Sequence, residues 1–375
     1  MRVAVISEVE LGSPRAHFIN VIKTGGGFVR LGCETTVFCR PATDGAPAEA
    51  IARSLGEPDL RWSLAPAGLD VDAFASWATE QAVRMGADLA YCRSFRAPIA
   101  CASAGLTTAM ETHAYIGDTN PDLCAALDAT ARPTNPIAAL ITISHRLAAH
   151  YAARGAAASR VHVVPDGVDV ELFRRPGGAI PETPMSRWPG ARVLYSGHLY
   201  DAKGIPTVIE AAGLLDGVTV HLLGGLDEDV RRVRADADER CPGRVVVHGR
   251  IEHAAVPAWL WDADVLLLPP SANEPSKDWT SPVKLGEYLA AGGPIVASRI
   301  PALRDLLGVR DAFWFEPDDA EDLVRAVGSA LSERRDSRQR RQARAAELAE
   351  GFSYRRRARR IMDAAMGACV GNARA

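Results

Sequence analysis

The sequence predicts an α/β protein of two domains, each built on a parallel sheet, and three observations carry that prediction. A length of 375 residues exceeds what one core of ordinary size organises. Short apolar, β-branched runs alternate with helix-patterned stretches to about residue 331, as in strand–helix–strand units. Residues 174–189, RRPGGAIPETPMSRWP, interrupt the alternation with Pro and Gly and read as an exposed loop.

In chain order, Arg2 to Ser7 reads as a strand, Phe18 to Leu31 as a helix and Thr35 to Cys39 as a strand. Gly12 then falls at the carboxyl end of the first strand, where open parallel sheets bind ligands, and Arg15 beside it suits a phosphate; the alternative is a tight turn. The full GxGxxG spacing is absent, which argues against a dinucleotide cofactor. Gly25, Gly26 and Gly27 inside the helix pattern cost about 1 kcal/mol each relative to alanine, so something packs closely there. A helix from Phe74 to Met85 and strands at Asp88 to Cys92 and Thr108 to Met110 follow, the last leading into Glu111, Thr112 and His113. Pro136 to Ser144 reads as a buried strand, with a helix from Ser144 to about Arg154. Beyond the Pro/Gly-rich loop come strands at Ala191 to Tyr195 and Val218 to Gly224, with a helix from Ile205 to Leu215. Asp305 to Leu307 reads as a turn, Phe313 to Phe315 as a small strand and Asp319 to Leu331 as a helix. The arginines from Arg334 to Arg360 alternate with Glu347, Glu350 and alanines, as on solvated helix faces.

The most informative stretch is residues 273–298, NEPSKDWTSPVKLGEYLAAGGPIVAS. ADVLLLPP precedes it as a buried strand; a short helix from about Pro282 to Ala291, a Gly292-Gly293-Pro294 stop and a strand Ile295-Val296-Ala297 complete the unit. The first turn of such a helix offers free N–H groups to an anion. Val283 and Lys284 are placed to donate, whereas Pro282 can only pre-set the backbone. Glu287, one turn on, suits a bidentate grip on a sugar diol such as ribose. Taken alone, it would equally fit a surface residue favoured by the helix dipole.

This unit resembles the nucleotide-sugar signature of the retaining glycosyltransferases with the two-domain GT-B fold, family 4. That signature has two glutamates eight residues apart, then helix, glycine, proline and a Val-Val-Ala strand. Glu287 matches the second glutamate; Trp279 stands at the first, leaving Glu274, Asp278 or the Ser281 backbone as substitutes toward the donor sugar. The resemblance implies two Rossmann-like domains with parallel sheets facing a central cleft. They would span 1–170, completed by a C-terminal helix at about 353–375, and 171–352. Arg160 to Asp169 matches the family's crossing between domains, and Phe352, Tyr354, Ile361 and Met362 suit packing of the returning helix. Gly197-His198 with Lys203-Gly204 matches the loop whose Gly-Arg and Lys-Gly clamp the diphosphate. Lys203 fits, and His198 is a weaker, pH-dependent cation in place of arginine. Gly224 ends a strand where a side chain would block the nucleotide, and Gly249, Arg250 and Ile251 match the segment facing the base. The resemblance makes His113 a stabiliser of the reacting sugar; a turn or capping role is the structural alternative.

Composition excludes several classes. With 47% apolar and 24% charged residues and a net charge of -3, the chain is an ordinary globular protein without a basic bias for nucleic acid. Seven cysteines lie singly with no CxxC, so reduced thiols are expected and a zinc site is not. The start, MRVAVISEVEL, lacks a signal-peptide core, and no run suits a membrane span, so a cytoplasmic location without membrane insertion is expected. Residues 1–165 hold fourteen Lys and Arg against fifteen Asp and Glu, which gives no pull to anionic lipid. The expectation is a retaining, metal-independent, cofactor-free glycosyltransferase. Its donor would be a UDP-, GDP- or similar sugar and its acceptor a soluble sugar, cyclitol, thiol or natural-product intermediate. Alternatives are a cell-envelope or polysaccharide glycosyltransferase, a catalytically weak sugar-nucleotide-binding partner, and a Rossmann oxidoreductase. A homodimer stays open.

Overall fold

In the computed structural model, which describes residues 1–13, 16–42, 47–115, 121–132 and 137–372, two parallel sheets organise two units. One unit is Met1–Gly167 with the chain from Phe352 onward; the other is Val168–Gly351.

The first sheet contains β1 (Arg2–Glu10), β2 (Glu34–Arg40), β3 (Arg61–Leu64), β4 (Leu89–Cys92), β5 (Thr108–Thr112), β6 (Ile137–Thr142) and β7 (Val161–Val163). Their order is β3-β2-β1-β4-β5-β6-β7, with Val5 of β1 registered between Val37 and Tyr91. Strands β4, β5 and β6 are buried at every residue, because helices cover both faces and no position is left for a polar alternation. Two strands outrun the sequence expectation. β1 continues past Ser7 to Glu10, and β5 past Met110 to Thr112, so Glu111 is a core strand residue. Pro136, the expected start of a strand, lies outside the described residues.

The glycine triplet sits in the Ala16–Val29 helix, and each member faces a different neighbour. A Cβ on Gly25 would come 3.2 Å from Leu60, one on Gly26 would overlap the Glu57 carboxylate, and one on Gly27 would overlap the Tyr354 carbonyl. The last contact lets the Tyr354–Asn372 helix lie against the Ala16–Val29 helix. Tyr354, Ala358, Ile361 and Ala365, spaced three to four apart, form its buried stripe.

The second sheet contains β8 (Ala191–Ser196), β9 (Val218–Leu223), β10 (Val245–Gly249), β11 (Val265–Leu268), β12 (Ile295–Ser298) and β13 (Phe313–Phe315), in the order β10-β9-β8-β11-β12-β13. Alternate residues of its strands, Val193, Tyr195, Val220, Leu222, Val265 and Leu267, face one core with Val208, Ile209, Leu323 and Val327 from two helices. Both sheets reverse their strand order at one point, β1/β4 and β8/β11, and loops at the carboxyl ends there form the crevice of such folds.

Three local expectations need correction. Asp305 and Leu306 end a short helix, Pro301–Leu306, that starts on a proline free of any helix N–H duty. The 174–189 loop is anchored: Met185 is fully buried, and Thr183 Oγ1 donates to Asp262 at 2.6 Å. Two arginines of the basic run are interior. Arg341 pairs with Glu333 at 2.8 Å, and Arg357 is 1% exposed.

Candidate active site

The second unit gathers glycines and cations at the β8/β11 switch point. Gly197 follows β8 directly with φ 140, and its N–H donates to the Leu223 carbonyl at 2.8 Å. Gly224 follows β9 with φ 112, its N–H donates to Gly249 at 2.7 Å, and any Cβ there would overlap the Gly197 carbonyl. The ends of β8, β9 and β10 therefore meet as bare backbone, which only glycine permits at these angles. Two buried tyrosines fix the loop from below. Tyr195 donates its hydroxyl to the His198 carbonyl at 2.5 Å, and the Tyr288 hydroxyl accepts the Ser196 N–H at 3.0 Å.

Tyr288 belongs to the Val283–Ala291 helix, which Pro282 caps without any side-chain hydrogen bond and Gly292 closes in the left-handed conformation. Ser281 is buried just ahead of it. Lys284 projects toward the glycine loop: its Nζ lies 3.9 Å from the Tyr195 ring centre, and a Cβ on Gly197 would stand 2.5 Å from it. Burial, then the nearby Lys203, push Lys284 down to about 7. Burial pushes Glu287 up to about 7, with Lys284 opposing. Burial thus favours the protonated form of Glu287, whereas the expected diol grip uses its carboxylate.

Lys203 pairs with Glu274 at 2.7 Å, and Ser276 Oγ donates to the other carboxylate oxygen at 2.9 Å. Burial alone would raise Glu274, but Lys203 and Ser276 hold it below the usual carboxylate range. Of the three substitutes for the missing glutamate, Glu274 is therefore the carboxylate joined to the cation loop; Asp278 and Trp279 are half-buried in the turns that follow it. His198 is exposed and stacks on Tyr200 at 5.4 Å. Partial desolvation, then Lys284 and Lys203, draw it below its ordinary value. The clamp position that the resemblance gives to an arginine thus carries an imidazole whose surroundings disfavour its charged form. Arg250 is exposed and Ile251 half-buried just beyond Gly249.

The first unit places His113 immediately after β5, with Nε2 2.6 Å from Glu111 Oε1 and 3.7 Å from Asp166 Oδ1. Glu111 Oε2 accepts from Tyr91 at 2.7 Å and from Arg357 Nη2 at 2.5 Å. Arg357 also donates to the Pro165 carbonyl at 3.0 Å and to Thr24 Oγ1 at 3.1 Å, and Asn20 donates to Asp166. Burial would raise Glu111, but Arg357 and then His113 hold it well below the usual range. Ligand atoms of Glu111, His113 and Asp166 lie within 4.8 Å of one another, a spacing open to a metal ion. The guanidinium already bonded to Glu111 opposes a dication there. Gly12 occupies an exposed turn after β1, with φ 79; Arg15 lies outside the described residues. Sequence reasoning missed Arg357, Asp166 and the Lys284 side chain, and gave Glu111 no role.

Two Rossmann-like units, one carrying a glycine and lysine loop at its switch point, define the architecture of a nucleotide-binding transferase. Family models match both: Glycosyltransferase Family 4 over residues 21–172 and Glycosyl transferases group 1 over residues 190–333. The chain belongs to the GT-B glycosyltransferases of the family 4 type. It is 31% identical over 165 residues to a D-inositol 3-phosphate glycosyltransferase of Xylanimonas cellulosilytica, which covers 41% of this chain and 38% of that one. It is 26% identical over 188 residues to the amylovoran biosynthesis glycosyltransferase AmsK of Erwinia amylovora, covering 48% and 44%. The matches therefore span less than half the length of these curated relatives. Among solved structures, Anabaena HepE in complex with UDP superposes with a TM-score of 0.75 at 16% identity, over 97% of this chain and 99% of that one. Sucrose-phosphate synthase of Thermosynechococcus elongatus gives 0.74 at 17% identity, over 96% and 97%. At these identities the likeness establishes the GT-B fold.

Proposed function

We propose that the protein transfers a glycosyl group, with retention, from a nucleoside-diphosphate sugar to a small soluble acceptor. The observation that carries this reading is the meeting of Gly197, Gly224, Lys203 and the start of the Val283–Ala291 helix at the β8/β11 switch point. A diphosphate there would take N–H groups from Val283 and Lys284 and the charge of Lys203, while Glu287 holds a sugar diol. The bond from the anomeric carbon to the diphosphate oxygen breaks as the acceptor heteroatom attacks the same face, and the acceptor proton passes to the departing diphosphate. Catalysis then consists of positioning and of charge stabilisation by side chains and amides, a role that calls for no metal. His113 would support the oxocarbenium-like sugar through a ring or backbone hydrogen bond. HepE has been solved with UDP and with UDP-glucose, which makes UDP the first base to try. The inositol-phosphate relative favours a cyclitol or sugar acceptor, and AmsK keeps a polysaccharide acceptor as the alternative. No described helix is long and apolar enough to cross a membrane.

A second reading, sugar-nucleotide binding with little turnover, draws on Trp279 and on His198, whose charged form is disfavoured, at two family positions. Calorimetry with UDP and GDP, followed by donor consumption with and without an acceptor panel, separates the two. Turnover with any acceptor supports the first reading, and binding without turnover across the panel supports the second. No binding of either nucleotide removes both.

A further inference from the structure

Where the family carries the arginine of its diphosphate clamp, this chain has His198, and the loop needs a second cation from elsewhere. We infer that the Lys284 side chain supplies it, reaching from the neighbouring helix across Gly197 to the phosphate position; this rests on the donor reading above.

The geometry is specific. Lys284 Nζ sits 3.9 Å from the Tyr195 ring centre and against the backbone of Gly197, the residue directly before His198. A side chain at Gly197 would press on that ammonium, with its Cβ 2.5 Å away, so the glycine opens the path for the lysine as well as for a ligand. Lys203 is joined to Glu274 at 2.7 Å, whereas among the described residues Lys284 has no carboxylate within the 4.0 Å of an ion pair. The groups that bear on it are Lys203, Glu287 and Glu274, together with His198, whose own charge Lys284 suppresses. A partly buried ammonium without a bonded anion, beside a second lysine, is an unfavourable arrangement. A bridging anion with charge on two phosphates relieves it, which one carboxylate such as Glu274 does not. His198 is exposed, and desolvation together with Lys284 and Lys203 disfavours its charged form. Lys284 is thus the group whose charge a diphosphate restores, and binding near neutral pH carries proton uptake with it.

The test uses the full chain with UDP and GDP as probes, uridine and guanosine as controls, and calorimetry at pH 7.5 in two buffers of different ionisation enthalpy. Lys284→Met keeps an unbranched apolar stem, and Lys284→Gln serves if methionine disturbs packing; thermal melts check both. The expected result is a loss of nucleoside-diphosphate affinity of roughly 10- to 100-fold, the scale of one charge-assisted hydrogen bond. Nucleoside affinity should stay unchanged, proton uptake should fall, and His198→Arg added to Lys284→Met should restore most of the loss. Unchanged diphosphate affinity in the variant, an equal loss of nucleoside, or no recovery with His198→Arg would each overturn the inference while leaving the donor reading standing. Wild-type protein that binds neither nucleoside diphosphate would remove the donor reading, and this inference with it.

Discussion

Arg357 Nη2 lies 2.5 Å from Glu111 Oε2, an ion pair in which both side chains are almost wholly buried, 246 residues apart in the chain. It binds the C-terminal helix to the end of β5, and its effect reaches His113. A carboxylate held in its charged form only accepts hydrogen bonds, so the Nε2 that faces Glu111 carries the hydrogen. Arg357→Met strips a buried carboxylate of its cation and should cost about 3–5 kcal/mol in urea denaturation. The pH dependence follows: Glu111 has a depressed folded pKa, so its stabilisation is complete above the unfolded value of 4.5 and fades as pH falls through the lower folded one. The variant should lose that acid dependence, and a cost under about 1 kcal/mol would contradict a buried pair.

His113→Ala tests whether this network serves chemistry. Nucleoside-diphosphate affinity should be unchanged, since those contacts are assigned to the other unit, while kcat falls on the order of 10²-fold, the scale of one lost transition-state hydrogen bond. Affinity and rate falling together would instead give His113 a structural part.

Lys203→Ala removes a lysine that is a quarter exposed and bonded to Glu274. Its partner Glu274 is buried, so the melting curve should shift, though by less than the loss of the wholly buried Arg357 pair shifts it. Turnover should drop far more, because leaving-group charge grows in the transition state. An unaltered rate takes Lys203 out of the mechanism.

Glu287 adds a pH signature. Its folded pKa is raised from 4.5 to about 7, so the folded protein holds the proton more tightly and stability falls as pH rises through that window. Glu287→Gln should flatten the fall in denaturation series from pH 4.5 to 7. Glu287→Ala should weaken donor binding by about 1.5–3 kcal/mol, the scale of hydrogen bonds to a charged group. Lys284 loses charge in the same window, so the Glu287 contribution is read by difference: as pH rises through 7, donor affinity of the wild type should gain relative to Glu287→Gln, because only the carboxylate accepts two hydroxyls. Calorimetry across that range checks both, and parallel profiles for the two proteins would exclude the diol grip.

Much of the fold was legible because hydrophobic period and Gly/Pro punctuation are local. The strand–helix–strand unit around Glu287 and the helix from Asp319 emerged from patterns of ten to twenty residues. What stayed hidden depends on partners far along the chain. The glycine triplet signalled close packing, but Tyr354 and Glu57 as its neighbours lie outside any window. Arg357 looked like one more solvated arginine, although it falls three residues after Tyr354 and four before Ile361, on the buried stripe. That spacing was the available signal, and charge overrode it. Lys284 was legible for its N–H in the first helical turn but not for its side chain, whose proposed role depends on Gly197, 87 residues earlier in the chain.

His221 and His248 carry a last consequence for the second unit. They sit on the paired strands β9 and β10 with Nδ1 of His221 3.0 Å from Nε2 of His248, rings stacked at 5.3 Å, and Trp188 edge-on to both. One hydrogen serves the bond between them, so charging both rings would set donor against donor. Burial, then His248, pushes His221 down to about 3; burial, then Arg234, pushes His248 down to about 4. Both folded values lie below the unfolded 6.5, so between about pH 4 and 6.5 the unfolded chain binds more protons and stability rises with pH. Each histidine adds a slope approaching about 1.4 kcal/mol per pH unit in that window. Urea denaturation at pH 4.5, 5.5 and 6.5, followed by tryptophan fluorescence, should show this loss on acidification. His221→Leu with His248→Phe should remove most of it, because neither replacement takes up a proton. A double variant as acid-sensitive as the wild type would place the sensitivity elsewhere.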